Sequence, residues 1–197
     1  MSKLETNQVD PSTGTTLTLG TSGDTIAIPS GVTITNSGTA NNFGGVNTPA
    51  FEAYLSANQS ISNDVFTKVN FNTETYDTDN TYDNSSNYRF TPAVVGKYLI
   101  NTGVRFDSGA SANLQIARLA LYKNGSHFYE AQFHNENNPP RRQYLVLNVS
   151  VDVTSTSDYF EVYAYLQAAS TTSGLIISGK GSGGDSYAYY NAFKIIE

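Results

Sequence analysis

Leucine or valine occupies every second position from Leu145 to Val153, in the segment Tyr144–Thr154. Successive side chains of a strand point to opposite faces of its sheet, so this period of two predicts a β-strand. The apolar positions are Leu145, Leu147, Val149, Val151 and Val153, and the residues between them include Asn148, Ser150 and Asp152. We therefore expect a sheet with one face in a core and the other face in water.

Composition extends this interpretation to the whole chain. Among 197 residues there are fourteen tyrosines and ten phenylalanines, and threonine, serine, asparagine and glycine are frequent. Aromatic and β-branched residues favour strands, whereas the small polar residues favour turns. An apolar content of 39% is sufficient for a folded interior. The sequence therefore predicts an all-β protein.

Charge, cysteine content and hydropathy exclude several classes of protein. Eleven basic residues against seventeen acidic ones give a net charge of −6, which opposes binding to nucleic acids and to anionic lipid surfaces. The absence of cysteine excludes disulfides and thiolate metal sites. The first residues lack the apolar stretch of a signal peptide, and no apolar run is long enough to span a bilayer. We expect neither a signal peptide nor insertion into a membrane.

Residues 1–45 differ from the rest of the chain and are interpreted as an N-terminal arm. They lack aromatic residues before Phe43 and carry short apolar pairs at alternate positions. The pairs are Leu17 and Leu19, Ile26 and Ile28, and Val32 and Ile34. One such strand cannot bury its apolar side alone, but three chains together can form a thin, intertwined β-prism. The alternative is a disordered polar arm, and the sequence leaves both open.

Residues 46–197, the head, contain a series of motifs that occur in a recognisable order. Phe90-Thr-Pro-Ala-Val-Val-Gly-Lys-Tyr98 precedes the strand-like run Leu99–Phe106, and Leu121-Tyr-Lys-Asn-Gly125 follows. The other segments are Phe51–Ala53, Val65–Phe71, Tyr76-Asp77, Asp158–Val162 and Tyr190–Ile195. In this order the motifs resemble the globular head of complement component 1q, which is related to the tumour necrosis factor family.

The resemblance covers residues 50–197 and carries implications for fold and function. It implies a jelly-roll β-sandwich of about ten antiparallel strands, preceded in this chain by the extended, β-rich arm. Heads of this family are usually homotrimeric binding or structural modules, so the resemblance implies a homotrimer that is not an enzyme. The chain also lacks the Gly-x-Ser-x-Gly and His-Glu-x-x-His motifs of hydrolytic enzymes.

The segment Asp158–Gln167 predicts a strand with two apolar faces. Phe160, Val162, Ala164 and Leu166 alternate with a series that contains Tyr159, Glu161, Tyr163 and Tyr165. A sandwich has only one interior, and a large apolar surface outside it usually marks a contact with a partner. We therefore predict a subunit interface, around a threefold axis as the resemblance implies, formed by Tyr159, Tyr163, Tyr165, Tyr187 and Tyr189. The alternative is that these tyrosines cap a sheet with their hydroxyl groups in water.

The loop Asn135–Arg142 has the composition of a binding loop. It is long, mixed in charge and stiffened by two prolines. Loops of this kind often contact ligands or partners, so Asn135, Glu136, Arg141 and Arg142 are predicted to bind a partner. The alternative is a solvated connection between two strands.

No cofactor is predicted. Asp77, Asp79 and Asp83 offer the oxygen ligands that calcium prefers, but their spacing is not that of a helix-loop-helix site. Calcium at these aspartates is the less favoured alternative. His127 and His134 are seven residues apart, which in a regular strand places them on opposite faces and argues against a shared metal site.

The arm indicates where the protein acts. Its segment Val9–Gly20 resembles the N-terminal segments of marine bacteriophage virion proteins. A phage assembles in the host cytoplasm and leaves by lysis, so a protein on the virion surface needs no signal peptide.

We predict a homotrimeric capsid decoration or cement protein on the virion surface, bound to capsid or tail proteins. The predicted anchor residues are Leu17, Leu19, Ile26, Ile28, Val32 and Ile34. One alternative is the tip of a tail or head fibre that binds a host receptor or glycan. Another is a secreted adhesin or cytokine-like ligand.

Overall fold

The computed structural model describes residues 9–38, 47–109, 112–169, 175–180 and 184–196. The chain divides into two units, Met1–Phe43 and Gly44–Glu197. The thirteen strands found among the described residues all lie in the second unit. No helix in the described part of the chain is long and apolar enough to cross a membrane.

The strands follow one another along the chain as short and long segments. They are β1 (Ala50–Tyr54), β2 (Gln59–Ile61), β3 (Thr67–Lys68), β4 (Thr73–Asp77), β5 (Tyr82–Asp83), β6 (Arg89–Phe90), β7 (Gly96–Asp107), β8 (Leu114–Lys123), β9 (Ser126–His134), β10 (Arg142–Val153), β11 (Phe160–Ala168), β12 (Leu175–Ile177) and β13 (Ala188–Ile196). The long strands β10 and β11 correspond to the two segments, Tyr144–Thr154 and Asp158–Gln167, for which the alternating pattern predicts strands.

Two antiparallel sheets pack face to face. Sheet 1 has the order β2-β12-β7-β13-β1-β4, and β10 pairs with the other side of β7. Sheet 2 has the order β5-β6-β11-β8-β9, and β3 pairs with β11. The all-β sandwich that the sequence predicts is confirmed.

The core lies between the sheets and is rich in aromatic rings. In β10, Leu147, Val151 and Val153 are buried there, as their alternate positions predict. The ring of Phe51 lies 4.6 Å from that of Tyr82 and 4.9 Å from that of Tyr190, measured between centroids. These side chains come from strands far apart in sequence, so the core joins β1, β5 and β13 into one structure.

A tight hairpin connects β8 to β9. Asn124 and Gly125 have φ angles of +53° and +76°, respectively, the left-handed values that a two-residue hairpin turn requires. Asn124 also bonds to the end of another loop, since its Nδ2 donates to Asp158 Oδ1 at 2.9 Å and its Oδ1 accepts the Tyr159 N–H at 2.9 Å. The turn therefore ties the hairpin to the start of β11.

Candidate functional site

The five tyrosines of the predicted interface lie on opposite sides of the sandwich. Tyr163 and Tyr165 belong to β11 and lie on the outer face of sheet 2, and Tyr159 directly precedes that strand. Tyr187 directly precedes β13, and Tyr189 lies in it on the outer face of sheet 1. The core separates these two faces, so the five side chains do not form one continuous patch. The predicted tyrosine interface can therefore lie on the outer face of sheet 1 or on the outer face of sheet 2, but one patch does not include all five tyrosines.

The outer face of sheet 2 is partly covered by a segment of the same chain. The ring of Phe66 lies 5.2 Å from that of Tyr165, 6.1 Å from that of His127 and 6.3 Å from that of Tyr122, between centroids. Ala120 on this face is completely buried, although it is not part of the main core. We call this group the Phe66 cluster; its members are Phe66, Tyr122, His127, Tyr163 and Tyr165.

Hydrogen bonds fix the segment before Phe66 against β11. Tyr165 Oη donates to Asp64 Oδ1 at 2.9 Å, and the Asp64 N–H donates to the Leu166 carbonyl at 3.0 Å. The Ala168 N–H donates to Asn63 Oδ1 at 2.8 Å. The case for a partner here required an uncovered aromatic surface. The chain covers part of this surface itself, and the Tyr165 hydroxyl group has a partner within the chain. A subunit interface on sheet 2 stays a prediction.

Charged groups around the Phe66 cluster are paired within the chain. Lys68 forms an ion pair with Glu161 and donates to the Asn87 carbonyl at 3.1 Å. Glu130 accepts from His127 Nε2 at 3.1 Å. Burial, followed by the nearby carboxylate of Glu161, raises the pKa of Tyr163, so its hydroxyl group is neutral at physiological pH.

The outer face of sheet 1 presents apolar and tyrosine side chains that remain partly accessible. Cross-strand pairing places Val146, Gly103, Tyr189 and Tyr54 in one row across four strands. Tyr144 lies beside this row, and its pKa is raised to about 12 by burial and then by the neighbouring Tyr189. This face therefore combines apolar area with neutral hydroxyl groups, which is typical of protein interfaces.

Gly103 allows the tyrosine rings to lie across sheet 1. A Cβ atom at this position would stand 2.6 Å from Cε1 of Tyr189 and would also collide with the hydroxyl group of Tyr144. Real Cβ atoms do not approach other atoms so closely, so a side chain here requires both rings to move. Glycine inside a strand often marks such a close approach.

A row of amide groups crosses the same face. Asn148, Asn101, Asn191 and Glu52 are successive cross-strand partners on β10, β7, β13 and β1. Asn101 Nδ2 donates to Asn191 Oδ1 at 2.9 Å. An open depression of about 640 Å³ lies over this row. It is lined by these four residues and by Tyr54, Thr75, Lys180, Gly184, Ser186 and Tyr189. Its amides, carboxylate and hydroxyl groups can hydrogen-bond to a partner that enters it.

The β9/β10 edge of the head exposes a second set of apolar side chains. In the described part of the chain β9 pairs only with β8, and β10 only with β7, so both are edge strands. Phe128, Tyr129, Tyr144 and Val146 are 41% to 44% exposed on these strands. The rings of Phe128 and Tyr129 meet edge to face at 4.6 Å between centroids. Exposed aromatic residues on edge strands are typical of a surface that another chain covers.

Two solved structures are similar to this chain. The globular domain of zebrafish complement 1qA protein is 15% identical, with a TM-score of 0.50 over 76% of this chain and 99% of that one. The Eiger tumour necrosis factor from S. frugiperda is 9% identical, with a TM-score of 0.51 over 77% of this chain and 95% of that one. The head has the jelly-roll fold of these proteins. No family model and no curated protein sequence matches the chain.

In this jelly roll, the two arginines of the predicted binding loop are held by one carboxylate. Arg142 Nε donates to Asp107 Oδ2 at 2.6 Å, and Arg141 Nε donates to Asp107 Oδ1 at 3.1 Å. Burial raises the pKa of Asp107, but bonds from Arg142, Arg141 and the Gly109 N–H outweigh burial and lower it. The arginines therefore fix the loop to the end of β7, and their role in binding a partner stays a prediction.

The other two residues of that loop have local partners. Asn135 Oδ1 accepts the Asn138 N–H at 3.1 Å, which closes a turn. Glu136 accepts from His134 Nε2 at 3.0 Å and is otherwise exposed. Partner binding by Asn135 and Glu136 also stays a prediction.

The aspartates considered for calcium serve as turn acceptors. Asp77 accepts bonds from the Thr81 hydroxyl at 3.1 Å and the Tyr82 N–H at 2.8 Å. Asp83 accepts the N–H groups of Ser85, Ser86 and Asn87, which lower its pKa well below the ordinary value. Asp79 accepts from the Thr78 hydroxyl at 2.6 Å. Within the described ranges, no three His, Asp or Glu side chains are grouped as metal ligands.

The two histidines lie on the same face of sheet 2, contrary to the expectation from their spacing. His127 pairs with Tyr122, and His134 pairs with Ile116. Tyr122 and Ile116 are six residues apart on β8, which has no bulge between them, so both project to the same side of the sheet. A bulge in β9 shifts the register between Leu121 and Tyr122, which reverses the side on which the later residues project. Each histidine binds a different glutamate, so the structure does not bring them together as a site.

The predicted anchor residues are exposed. Leu17, Leu19, Ile26, Ile28, Val32 and Ile34 have exposed fractions from 43% to 60%. Residues 9–38 contain turns and no strand. The structure thus shows these side chains accessible to a partner, and their role as an anchor stays a prediction.

Sequence reasoning missed three features of the site. Gly103 was a detectable signal, because a glycine in the interior of a long strand often marks a close approach. Phe128 and Tyr129 follow the Asn-Gly turn and could have been assigned to an edge strand only after the strand order was known. Phe66 gave no signal, because its contact with sheet 2 depends on the path of the preceding loop.

Proposed function

We propose that this chain is a homotrimeric, non-enzymatic protein of a bacteriophage virion surface that decorates or cements the capsid. The observation that supports assembly is the accessible outer face of sheet 1, with its row of Val146, Gly103, Tyr189 and Tyr54. The likeness of the fold to a complement head and a tumour necrosis factor supports a ligand-like or structural role. The virion location rests on the resemblance of Val9–Gly20 to phage virion proteins.

The surfaces proposed to meet in the trimer are unlike each other. One is the depression on sheet 1, bounded by Tyr54 and Tyr189. The other is the β9/β10 edge, where Phe128 and Tyr129 are exposed. Contact between two unlike surfaces is called heterologous. It gives a closed ring when a whole number of rotations from one copy to the next adds up to one full turn. We place the edge of one copy against sheet 1 of the next, with three copies per ring as the family resemblance implies.

The chemistry of both surfaces suits such a contact. Aromatic side chains such as Phe128 and Tyr129 provide most of the binding free energy in many interfaces. The amides of Asn101, Asn148 and Asn191 supply donors and acceptors that a neighbouring copy or bridging water can satisfy. A polar row inside an apolar face also favours one alignment of the two copies over others. In any other alignment a buried amide loses its hydrogen-bond partner, which costs free energy.

The solution mass of matched variants tests the assembly. Val146→Asp places a charge in the proposed contact, whereas Val65→Asp places the same charge at a loop position of similar exposure, 49% against 41%. Burial of an unpaired carboxylate costs several kcal/mol, about 3 to 5. Light scattering should therefore give a trimeric mass for the wild type and Val65→Asp, and a monomeric mass for Val146→Asp. A trimer that persists in Val146→Asp would refute the proposed face.

The position of the protein on particles tests the virion role. Antibodies against the head, applied to density-purified particles from the source culture, should label the whole shell if the protein decorates the capsid. Label confined to a tail or to fibre ends would instead support the receptor-binding alternative. Label on cells and none on particles would refute a virion protein and favour the adhesin.

A further inference from the structure

Two turns in the arm have the same geometry and share Ser-Gly at their two central positions. The Asp24 N–H donates to the Thr21 carbonyl at 3.0 Å, and the Val32 N–H donates to the Pro29 carbonyl at 3.2 Å. The third residue of each turn is a glycine with positive φ, +95° at Gly23 and +84° at Gly31. A four-residue turn with positive φ at its third position strongly favours glycine there.

The turns introduce a repeated unit. Each contains Ser-Gly followed by one variable residue and then Thr-Ile, first at Ser22–Ile26 and again at Ser30–Ile34. The two copies are eight positions apart. Repetition of one turn and one extended piece is the signature of structures in which neighbouring units stack, since a single unit cannot bury its apolar side.

Among the described residues, no main-chain hydrogen bond joins one extended piece of the arm to another. Two main-chain hydrogen bonds are described within residues 17–35, and they are the two that close the turns. Leu17, Leu19, Ile26, Ile28, Val32 and Ile34 are all exposed. Threonine or alanine lies between the two members of each apolar pair, so the apolar side chains share one side of each piece. Such pieces offer both an apolar side and free strand edges.

We propose that the extended pieces of the arm pair with the same pieces of two other copies, forming a three-chain β-prism with the apolar pairs inside. This inference rests on the homotrimer proposed above. Three arms that start from one trimeric head are held at an effective concentration in the millimolar range, which favours their mutual pairing over contact with a separate protein. Strand edges and apolar side chains are then both satisfied by identical partners.

The prism assigns separate roles to the two sides of the arm. The apolar pairs join the three arms into one stalk. The residues that alternate with these pairs, Thr18, Thr25, Ala27 and Thr33, form its outside together with the turns. A capsid protein would therefore contact a threonine-rich surface, and the anchor would depend on the apolar residues only indirectly.

Cysteine cross-linking in the full-length protein tests this arrangement. The chain has no cysteine, so a single engineered thiol is the only possible source of a disulfide. Threefold symmetry brings Ile26 of the three chains to one level near the axis, whereas Thr25 projects outward. We compare Ile26→Cys with Thr25→Cys, and repeat the comparison with Ile28→Cys and Ala27→Cys, under a mild oxidant.

Cross-linked dimers should form at least about tenfold faster in Ile26→Cys and Ile28→Cys than in the neighbouring variants. The reaction should stop when two chains of each three are linked, because one disulfide joins only two thiols. Equal rates in all four variants, in a protein that light scattering shows to be a trimer, would overturn the prism and leave the homotrimer intact. A monomeric mass for the cysteine-free wild type would instead refute the homotrimer on which the prism rests.

Discussion

Lys123 Nζ lies 3.0 Å from Asp158 Oδ2, where the β8–β9 hairpin meets the start of β11. Asp158 also accepts bonds from Asn124 Nδ2 at 2.9 Å and from the Thr154 N–H at 3.2 Å. Burial raises the pKa of Asp158, but these bonds outweigh burial and lower the pKa from 3.8 to about 2. The charged carboxylate thus stabilises the folded chain.

The sign of the shift predicts a pH dependence. Because the pKa of Asp158 is lower in the folded state, its stabilisation is complete above pH 3.8 and is lost as the pH falls through about 2. Asp158→Asn should reduce the free energy of unfolding by about 1 to 2 kcal/mol at pH 7 and by progressively less toward pH 2. Urea denaturation at a series of pH values measures this difference.

Asp152→Asn is the matched control. Asp152 Oδ2 is 3.5 Å from Lys97 Nζ, but its side chain is largely exposed. An exposed ion pair contributes less than about 1 kcal/mol. Equal losses for the two variants at pH 7 would contradict the special role of Asp158.

Removal of Phe66 should weaken the fold without affecting assembly. Phe66→Ala removes the ring that packs against Tyr122, His127 and Tyr165. Since Phe66 is partly exposed, we expect a loss of about 1 to 3 kcal/mol, below the cost for a fully buried ring. Urea unfolding measures the stability, and light scattering should still show a trimer.

The companion variant Phe128→Ala should weaken the assembly and leave the stability of the fold nearly unchanged. Phe128 is exposed at the β9/β10 edge, so its removal changes the stability of a single copy by less than about 1 kcal/mol but weakens the trimer. If Phe66→Ala splits the trimer and Phe128→Ala does not, the outer face of sheet 2 is the interface.

A side chain at position 103 should disturb the proposed contact on sheet 1. Gly103→Ala forces the rings of Tyr144 and Tyr189 away from the sheet, at a cost of about 1 to 3 kcal/mol. We expect dissociation at a higher protein concentration than for the wild type, measured by sedimentation. Adding Tyr144→Ala removes part of the collision and should restore part of the lost stability; no restoration would argue against this geometry.

Asp107 should control the exposure of the loop between β9 and β10. Asp107→Ala removes the acceptor of both Arg141 and Arg142, and these arginines then lose the bonds that hold the loop. We expect faster cleavage by trypsin after Arg141 or Arg142, because a protease requires a locally mobile chain. Asp152→Ala is the control, and mass spectrometry identifies the cleaved bond. Unchanged cleavage would show that other contacts fix the loop.

Local patterns allowed much of the fold to be predicted. The alternation from Tyr144 to Thr154 is sufficient to predict β10, and Leu147, Val151 and Val153 are buried as expected. Asn124-Gly125, part of the motif Leu121–Gly125, forms the turn between β8 and β9. These features depend on the direction of successive side chains and on the φ angles open to glycine and asparagine, which are properties of a few neighbouring residues.

The candidate site was less predictable, because it depends on strand order. The alternation in β11 and β13 shows that each has a tyrosine-bearing side, but it does not assign the two strands to different sheets. The spacing of His127 and His134 likewise predicts opposite faces only for a strand without a bulge. Both cases require knowledge of pairing between distant segments.

The sequence by itself determined the all-β class, the positions of the long strands and the contrast between the arm and the head. Only the tertiary structure decided that Tyr163 and Tyr189 lie on opposite faces of the sandwich, that Phe66 packs against Tyr165, and that Gly103 admits two tyrosine rings. The physical reason is the distance along the sequence over which each kind of interaction acts. Periodicity orients a side chain relative to its own strand, whereas sheet membership is set by hydrogen bonds and packing between segments as distant as β1 and β13.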